Sequence, residues 1–250
     1  MIDSKIAENI IVASHISGVY DVNRNEILAN DDFSIVSKWA KSIAELNLQG
    51  ILFHNSFSQE TCEAHQNDHL RFVKVDYDSS YNPNVYRYFL YNEFLKLYSH
   101  QFNNVFFTDV SDVVVLNNPF VQKLYLDNPM ALFCGDEPEI LNNVWMQNHG
   151  EHLRNKILDY AFYEEKYKNS TLLNCGVIGG NTAVMKSFIA DLWSIHASFN
   201  SDNATKFTGD MGAFNYLVRT KYNSAVIHGN PVNTEFKKYT SDGSCWFQHK

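Results

Sequence analysis

No apolar run in this chain approaches the roughly 18 residues that a membrane-spanning helix needs, so no segment reads as one. Lys/Arg-rich runs are missing as well: the formal net charge is −8 and the sequence pI is about 5.6. A protein that tracks nucleic-acid phosphates carries a basic face, and that class is excluded. Pro/Gly/Ser-rich linkers, charge blocks, low-complexity tracts and internal repeats are absent, so residues 1–250 read as one domain. The four cysteines (Cys62, Cys134, Cys175 and Cys245) are scattered, with no CxxC pair among them. Asp3 and Glu8 stand where a signal peptide needs basic and then apolar character. The expectation is a cytoplasmic protein with reduced cysteines, in which the sequons at Asn169 and Asn203 carry no meaning.

What is present is a series of short apolar runs alternating with amphipathic stretches. Ile10–Ala13 has the continuous apolar character of a strand buried on both faces. Phe33, Val36, Trp39, Ile43 and Leu46 then recur at helical spacing, with Asp31 or Asp32 as the cap and Gly50 past the end. Ile51–Phe53 and Phe72–Val75 read as strands. Asn82-Pro83-Asn84 opens a helix with Tyr86, Leu90, Phe94 and Leu97 on one stripe. Asn104–Phe107 and Met130–Phe133 give two further strands. This alternation predicts an α/β fold with a mainly parallel central sheet flanked by helices.

The fourth strand runs directly into Thr108-Asp109-Val110-Ser111-Asp112, and an apolar run, Val113–Leu116, follows at once. Ligands of open α/β sheets bind beyond the carboxyl ends of the strands, which is where these acids fall. Two carboxylates held between buried segments repel each other and lose solvation, so a cation is their natural partner. Hard oxygen ligands suit Mg²⁺ or Mn²⁺. A pair of turn aspartates bonding only to backbone is the competing reading. The Asp-x-Asp pattern of haloacid-dehalogenase phosphatases fails, because the second acid comes one residue late, at Asp112.

Four segments, in order, resemble bacterial GT-A-fold glycosyltransferases of polysaccharide and lipopolysaccharide biosynthesis. They are Thr108–Val114 with Asn118-Pro119-Phe120, Leu173-Asn174-Cys175-Gly176-Val177-Ile178-Gly179-Gly180, Gly209–Asn215, and the ending Cys245–Lys250. The resemblance implies a GT-A-like fold, a Rossmann-like nucleotide-binding half joined to an acceptor-binding half. It also implies metal-dependent transfer of a sugar from a nucleoside-diphosphate sugar (a UDP-sugar favoured) to a hydroxyl of a glycan or glycolipid. Mn²⁺ or Mg²⁺ is the implied cofactor, with Asp109, Asp112 and His249 as ligands. Synthesis of cell-surface polysaccharide at the inner face of the membrane, with peripheral membrane association, is the implied setting. The chain departs from the family in having Asp-x-x-Asp instead of Asp-x-Asp. Met211 follows Asp210 where retaining relatives carry Gln or Glu, which argues against a covalent intermediate at that position.

Further roles are expectations on the same basis. Arg87, one turn into its helix, is a candidate diphosphate clamp. Asp210 is the candidate general base, with a helix N-cap as its competing role. Asp136 and Glu137, after the fifth strand, are placed for donor or acceptor contact, Asp136 as a second catalytic candidate. Asn174, Gly176 and Gly179 suggest backbone close to a ligand, and Gly179-Gly180 also reads as a turn. Asp21 and Arg24 are candidates for base or ribose, and Lys250 for a phosphate. Trp145, Trp246 and Tyr239 are candidates for stacking on sugar. The weakly periodic stretch 141–168 reads as an acceptor-side loop and helix. Two other functions compete: a sugar-nucleotide nucleotidyltransferase, whose Gly-rich basic loop is missing from Ser14–Gly18, and a non-catalytic nucleotide-sugar or carbohydrate-binding module.

Overall fold

A computed structural model describes residues 5–21, 25–199, 209–238 and 243–249, apart from the side chain of Asp21. In chain order the first half runs β1 (Asn9–His15), β2 (Tyr20–Asp21), β3 (Glu26–Ile27), α1 (Ser34–Glu45), β4 (Gln49–His54), α2 (Gln59–His65), β5 (Leu70–Lys74), α3 (Pro83–Tyr98), β6 (Asn104–Thr108) and β7 (Val113–Val115). The second half runs α4 (Lys123–Asp127), β8 (Leu132–Ile140), α5 (Val144–Arg154), α6 (Tyr160–Tyr167), β9 (Thr171–Asn181), α7 (Thr182–Phe199), α8 (Asp210–Leu217), β10 (Val226–His228) and β11 (Phe247–His249).

The α/β architecture expected from the alternating pattern is present. Seven strands form one sheet in the order β10-β8-β9-β6-β1-β4-β5, and every neighbour pair is parallel except those that β9 makes. The order places β1 between β4 and β6, so the chain leaves β1 in one direction and returns on its other side at β6. A sheet of this kind opens a crevice at such a reversal.

Strand alternation explains the two cores. Ile10 and Val12 pack with the α3, α7 and α8 side, while Ile11 and Ala13 pack with the α1 side. Both faces of β1 are covered, which is why its apolar run is unbroken. Removing each of the isoleucine and valine side chains from water contributes roughly 1.5–3 kcal/mol. Among the described residues, no helix is long and apolar enough to cross a membrane.

Several local expectations are corrected. Asp31 and Asp32 do not cap α1: Asp31 accepts from the backbone N–H of Ser58, and Asp32 from that of Ser34. Gly50 is not a helix terminator but lies inside β4, where an added Cβ would press on Trp39 and Ile43. Leu97 is exposed, and α3 is instead buried nearly all round through Tyr86, Tyr88, Leu90, Tyr91 and Phe94. Asn82 does cap that helix, its Oδ1 accepting from the N–H of Asn84 at 2.9 Å. Asp136 and Glu137 fall within β8 and not beyond it, and 141–168 forms two helices, α5 and α6. The segment Leu173–Gly180 is neither loop nor turn. It is the buried reversed strand β9.

Candidate metal centre and cleft

β6 ends at Thr108, and the backbone N–H of Asp109 then bonds to the carbonyl of Gly176 on β9 at 2.7 Å. This fixes Asp109 at the carboxyl edge of the sheet. Four residues on, β7 pairs antiparallel with β11, and the pairing sets His249 opposite Val113. A residue near the end of the chain is thereby brought beside Asp112. The Nε2 of His249 lies 3.8 Å from Oδ2 of Asp109 and 3.9 Å from Oδ2 of Asp112. One ligand atom from each of the three lies within 4.8 Å of the others.

The three residues fit a divalent cation. Two ligands each about 2.1 Å from an ion stand roughly 3–4 Å apart, close to the separations found. His249 is 2% exposed, and burial lowers its pKa, opposed by the Asp109 and Glu137 charges. Its ring therefore stays neutral and keeps a lone pair for a metal. Carboxylate oxygens and an imidazole nitrogen are both ligands of divalent metal ions. Gly176 is required here for space: a Cβ at that position would collide with His249 Cε1 and Asp109 Oδ2.

Arg87 reaches the same place from α3. It is 7% exposed and ion-paired to Oδ1 of Asp109, while Nη2 lies 3.4 Å from Oδ2 of Asp210 and 3.2 Å from the hydroxyl of Tyr88. Burial works against its charge, but Tyr88, Asp109, Cys175 and Asp210 together more than offset it, and its pKa is raised. The expected diphosphate clamp is thus, in this structure, a bridge between two carboxylates. Asp210 is the first residue of α8, and Gly209 holds the cap position before it. Its other oxygen faces Nδ1 of His149 at 3.7 Å.

Two cavities meet at the Asp109, Asp112 and His249 cluster. A smaller one, about 140 Å³, sits over the carboxyl ends of β1 and β6 and is lined by Ser14, Ile16, Tyr20, Asn82, Tyr91 and Ser111, among others. A wider cleft of about 680 Å³ is lined by Glu137, Trp145, His149, Asn174, Asp210 and Lys237, among others. Asn84, Arg87, Asp109 and Asp112 line both. Among the described residues, the wider cleft is lined by five carboxylates (Asp109, Asp112, Glu137, Glu139 and Asp210) and two cations, Arg87 and Lys237. Glu137 accepts from Asn174 Nδ2 at 2.7 Å, and burial raises its pKa.

The remaining candidates fall elsewhere. Gly179 faces Phe106 within the sheet, where an added Cβ would enter the ring, and it lines neither cavity. Asp136 is bonded to Nδ1 of His228 at 2.8 Å and lines neither cavity. Trp246 is buried in the α1-side core. Met211 lines the cleft, its sulfur accepting from the N–H of Cys175 at 3.4 Å. The Asp21 side chain, Arg24, Tyr239 and Lys250 lie outside the described residues. Two cleft residues escape a reading of the sequence. His149 sits one turn after Trp145 in a stretch without strong periodicity, and Lys237 is an ordinary loop lysine until the fold closes. All four cysteines are free thiols. No protein-family model matches the chain, and no curated protein matches it in sequence.

Proposed function

We propose that this protein is a GT-A-type glycosyltransferase. It transfers a sugar from a nucleoside-diphosphate sugar, a UDP-sugar favoured, to a hydroxyl of a glycan or glycolipid, and it depends on Mn²⁺ or Mg²⁺. One observation carries the reading: Asp109, Asp112 and His249 converge where two cavities meet, at the carboxyl edge of a mainly parallel sheet. A donor with two unlike ends joined by a diphosphate matches that layout. The nucleoside occupies the smaller cavity, between Tyr20, Ile16 and Tyr91, and the sugar enters the cleft.

The charge of the cleft supports metal dependence. Among the described residues five carboxylates outnumber two cations in the cleft, and a diphosphate brought among them is repelled unless a divalent ion accompanies it. When bound, that ion neutralises charge growing on the departing diphosphate. The chain's own residues do the rest. Asp109, Asp112 and His249 hold the ion, and Arg87 fixes the Asp109 carboxylate so that Oδ2 faces His249. Asn82 and Asn84, at the start of α3, line the smaller cavity where a helix N-terminus favours an anion. Glu137 and Asn174, bonded together on neighbouring strands, present oxygen and amide groups suited to sugar hydroxyls.

The test is release of nucleoside diphosphate from a panel of UDP- and GDP-sugars offered with glycan acceptors. Release from one donor, abolished by EDTA and restored by Mn²⁺, is the expected result. Undiminished release in EDTA would sink the metal-dependent mechanism.

A further inference from the structure

A third cavity, about 590 Å³, adjoins the wider cleft: Glu137 and Phe236 line both. The strand that carries Glu137 explains half of this wall. Pro138 has no N–H to give to a ladder, and the pairing of β8 with β9 is interrupted between Asp136 and Ile140. A bulge of this kind re-aims the side chains around it, and Glu137 stands where the two cavities adjoin. The segment before Lys237 supplies the other half. The ring of Phe236 packs on that of His249 at 65°, with centroids 4.8 Å apart, and Thr234 Oγ1 accepts from the backbone N–H of His249 at 3.3 Å. A wall of the third cavity is thus tied directly to a residue of the metal cluster. Asn233 ties it to β8 as well, accepting from the N–H of Asp136 at 3.3 Å and donating to its carbonyl at 3.2 Å.

We propose that the third cavity is a distal acceptor subsite, and that the acceptor is an uncharged oligosaccharide of two or more sugars lying across Glu137 and Phe236; this rests on the glycosyltransferase reading of the cleft. The sugar that receives the transferred residue occupies the cleft, and the sugar next to it occupies the third cavity. The lining chemistry selects that class. Among the described residues the third cavity has three carboxylates (Asp136, Glu137 and Glu235), and neither lysine nor arginine lines it. A uronic acid or phosphate entering there meets like charge with no lining cation to answer it, and such repulsion is what excludes a wrong partner. Sugar hydroxyls both donate and accept, which suits carboxylate oxygens and the Thr234 hydroxyl, and the CH face of a sugar suits the Phe236 ring.

A glycan array tests this without any need for turnover. Fluorescent protein, with Mn²⁺ and UDP present, is offered neutral mono-, di-, tri- and tetrasaccharides, and the same glycans carrying a uronic acid, sialic acid or phosphate. Signal on neutral glycans of two or more sugars should stand about tenfold or more above that on their constituent monosaccharides and on their acidic counterparts. Glu235 is exposed and ion-paired to Lys238 at 2.7 Å, so Glu235→Lys changes the charge of the cavity without disturbing the core. It should raise the signal on acidic glycans and leave UDP affinity and melting temperature as they were. Monosaccharides bound as well as longer glycans, acidic glycans bound as well as neutral ones, or discrimination unaltered in Glu235→Lys would each overturn the proposal. Capture of UDP with Mn²⁺ is measured separately by calorimetry. UDP capture with no glycan bound overturns the subsite and leaves the donor reading standing. Failure to capture UDP counts against the glycosyltransferase reading, and the array, read on metal-free protein, still decides what the third cavity holds.

Discussion

The Nε2 of His249 stands 3.9 Å from Oδ2 of Asp112 because β11 pairs with β7 and sets His249 opposite Val113, the residue after Asp112. Ser111 instead lines the smaller cavity. Replacing Asp112 by Asn should raise the Kd for Mn²⁺ at least tenfold, about 1.4 kcal/mol or more, and Ser111→Ala should change it far less. Calorimetric titration of Mn²⁺ into the two variants separates them. Equal losses would place the serine hydroxyl on the ion as well.

Gly176 leaves the space that His249 and Asp109 fill. Gly176→Ala should displace one of those side chains, weaken Mn²⁺ binding, and destabilise the fold by about 1–3 kcal/mol. Urea unfolding with and without Mn²⁺ checks both parts. Metal affinity unchanged in this variant would mean that the His249 ring is not a ligand.

Arg87 is the buried cation between Asp109 and Asp210. Arg87→Met leaves both carboxylates without it and should cost about 3–5 kcal/mol in metal-free protein. Adding Asp210→Asn to that variant should recover part of the loss, because one of the two stranded charges is then gone. A double-mutant cycle by urea unfolding gives the coupling, and strict additivity would show that the bridge contributes nothing.

His196 on α7 is fully buried and stacked on Tyr88, with ring centroids 5.0 Å apart. Burial pushes its pKa down to about 3, against the opposing Asp210 charge. The unfolded chain takes up that proton near pH 6.5, so the unfolded state holds more protons between the two values. The stability concerned is present above about pH 6.5 and falls by about 1.4 kcal/mol per unit as the pH drops toward 3. His196→Phe, which keeps a ring against Tyr88, should flatten that slope. Unfolding free energies at neutral pH and about pH 5 would show it, and an unaltered slope would assign the acid sensitivity elsewhere.

The alternation of apolar runs made the sheet readable from sequence, because strands buried on both faces leave unbroken runs such as Ile10–Ala13. The acids at 109 and 112 could be placed for the same reason: the strand before them ends at the ligand edge. What pairs with them was not readable locally. His249 meets Asp112 only through the β7–β11 ladder, and Arg87 meets Asp210 only when α3 and α8 pack into the same core. Gly179 looked like a ligand-approaching turn, yet its missing side chain makes room for Phe106. Asp136 followed a strand as Asp109 does, but β8 continues past it and turns it to His228. His149 was hidden by the weak periodicity of α5, a helix that buries only Met146, His149, Gly150 and Leu153.

Metal-dependent capture of a diphosphate by Asp109, Asp112 and His249 is measured most directly by titrating UDP calorimetrically, with Mn²⁺ and then with EDTA. The same titration is repeated on Asp109→Asn. The unmodified protein should bind UDP with Mn²⁺ and lose at least 100-fold, about 2.7 kcal/mol, in EDTA, and Asp109→Asn should bind weakly in both. Equal UDP affinity with Mn²⁺ and with EDTA would contradict it.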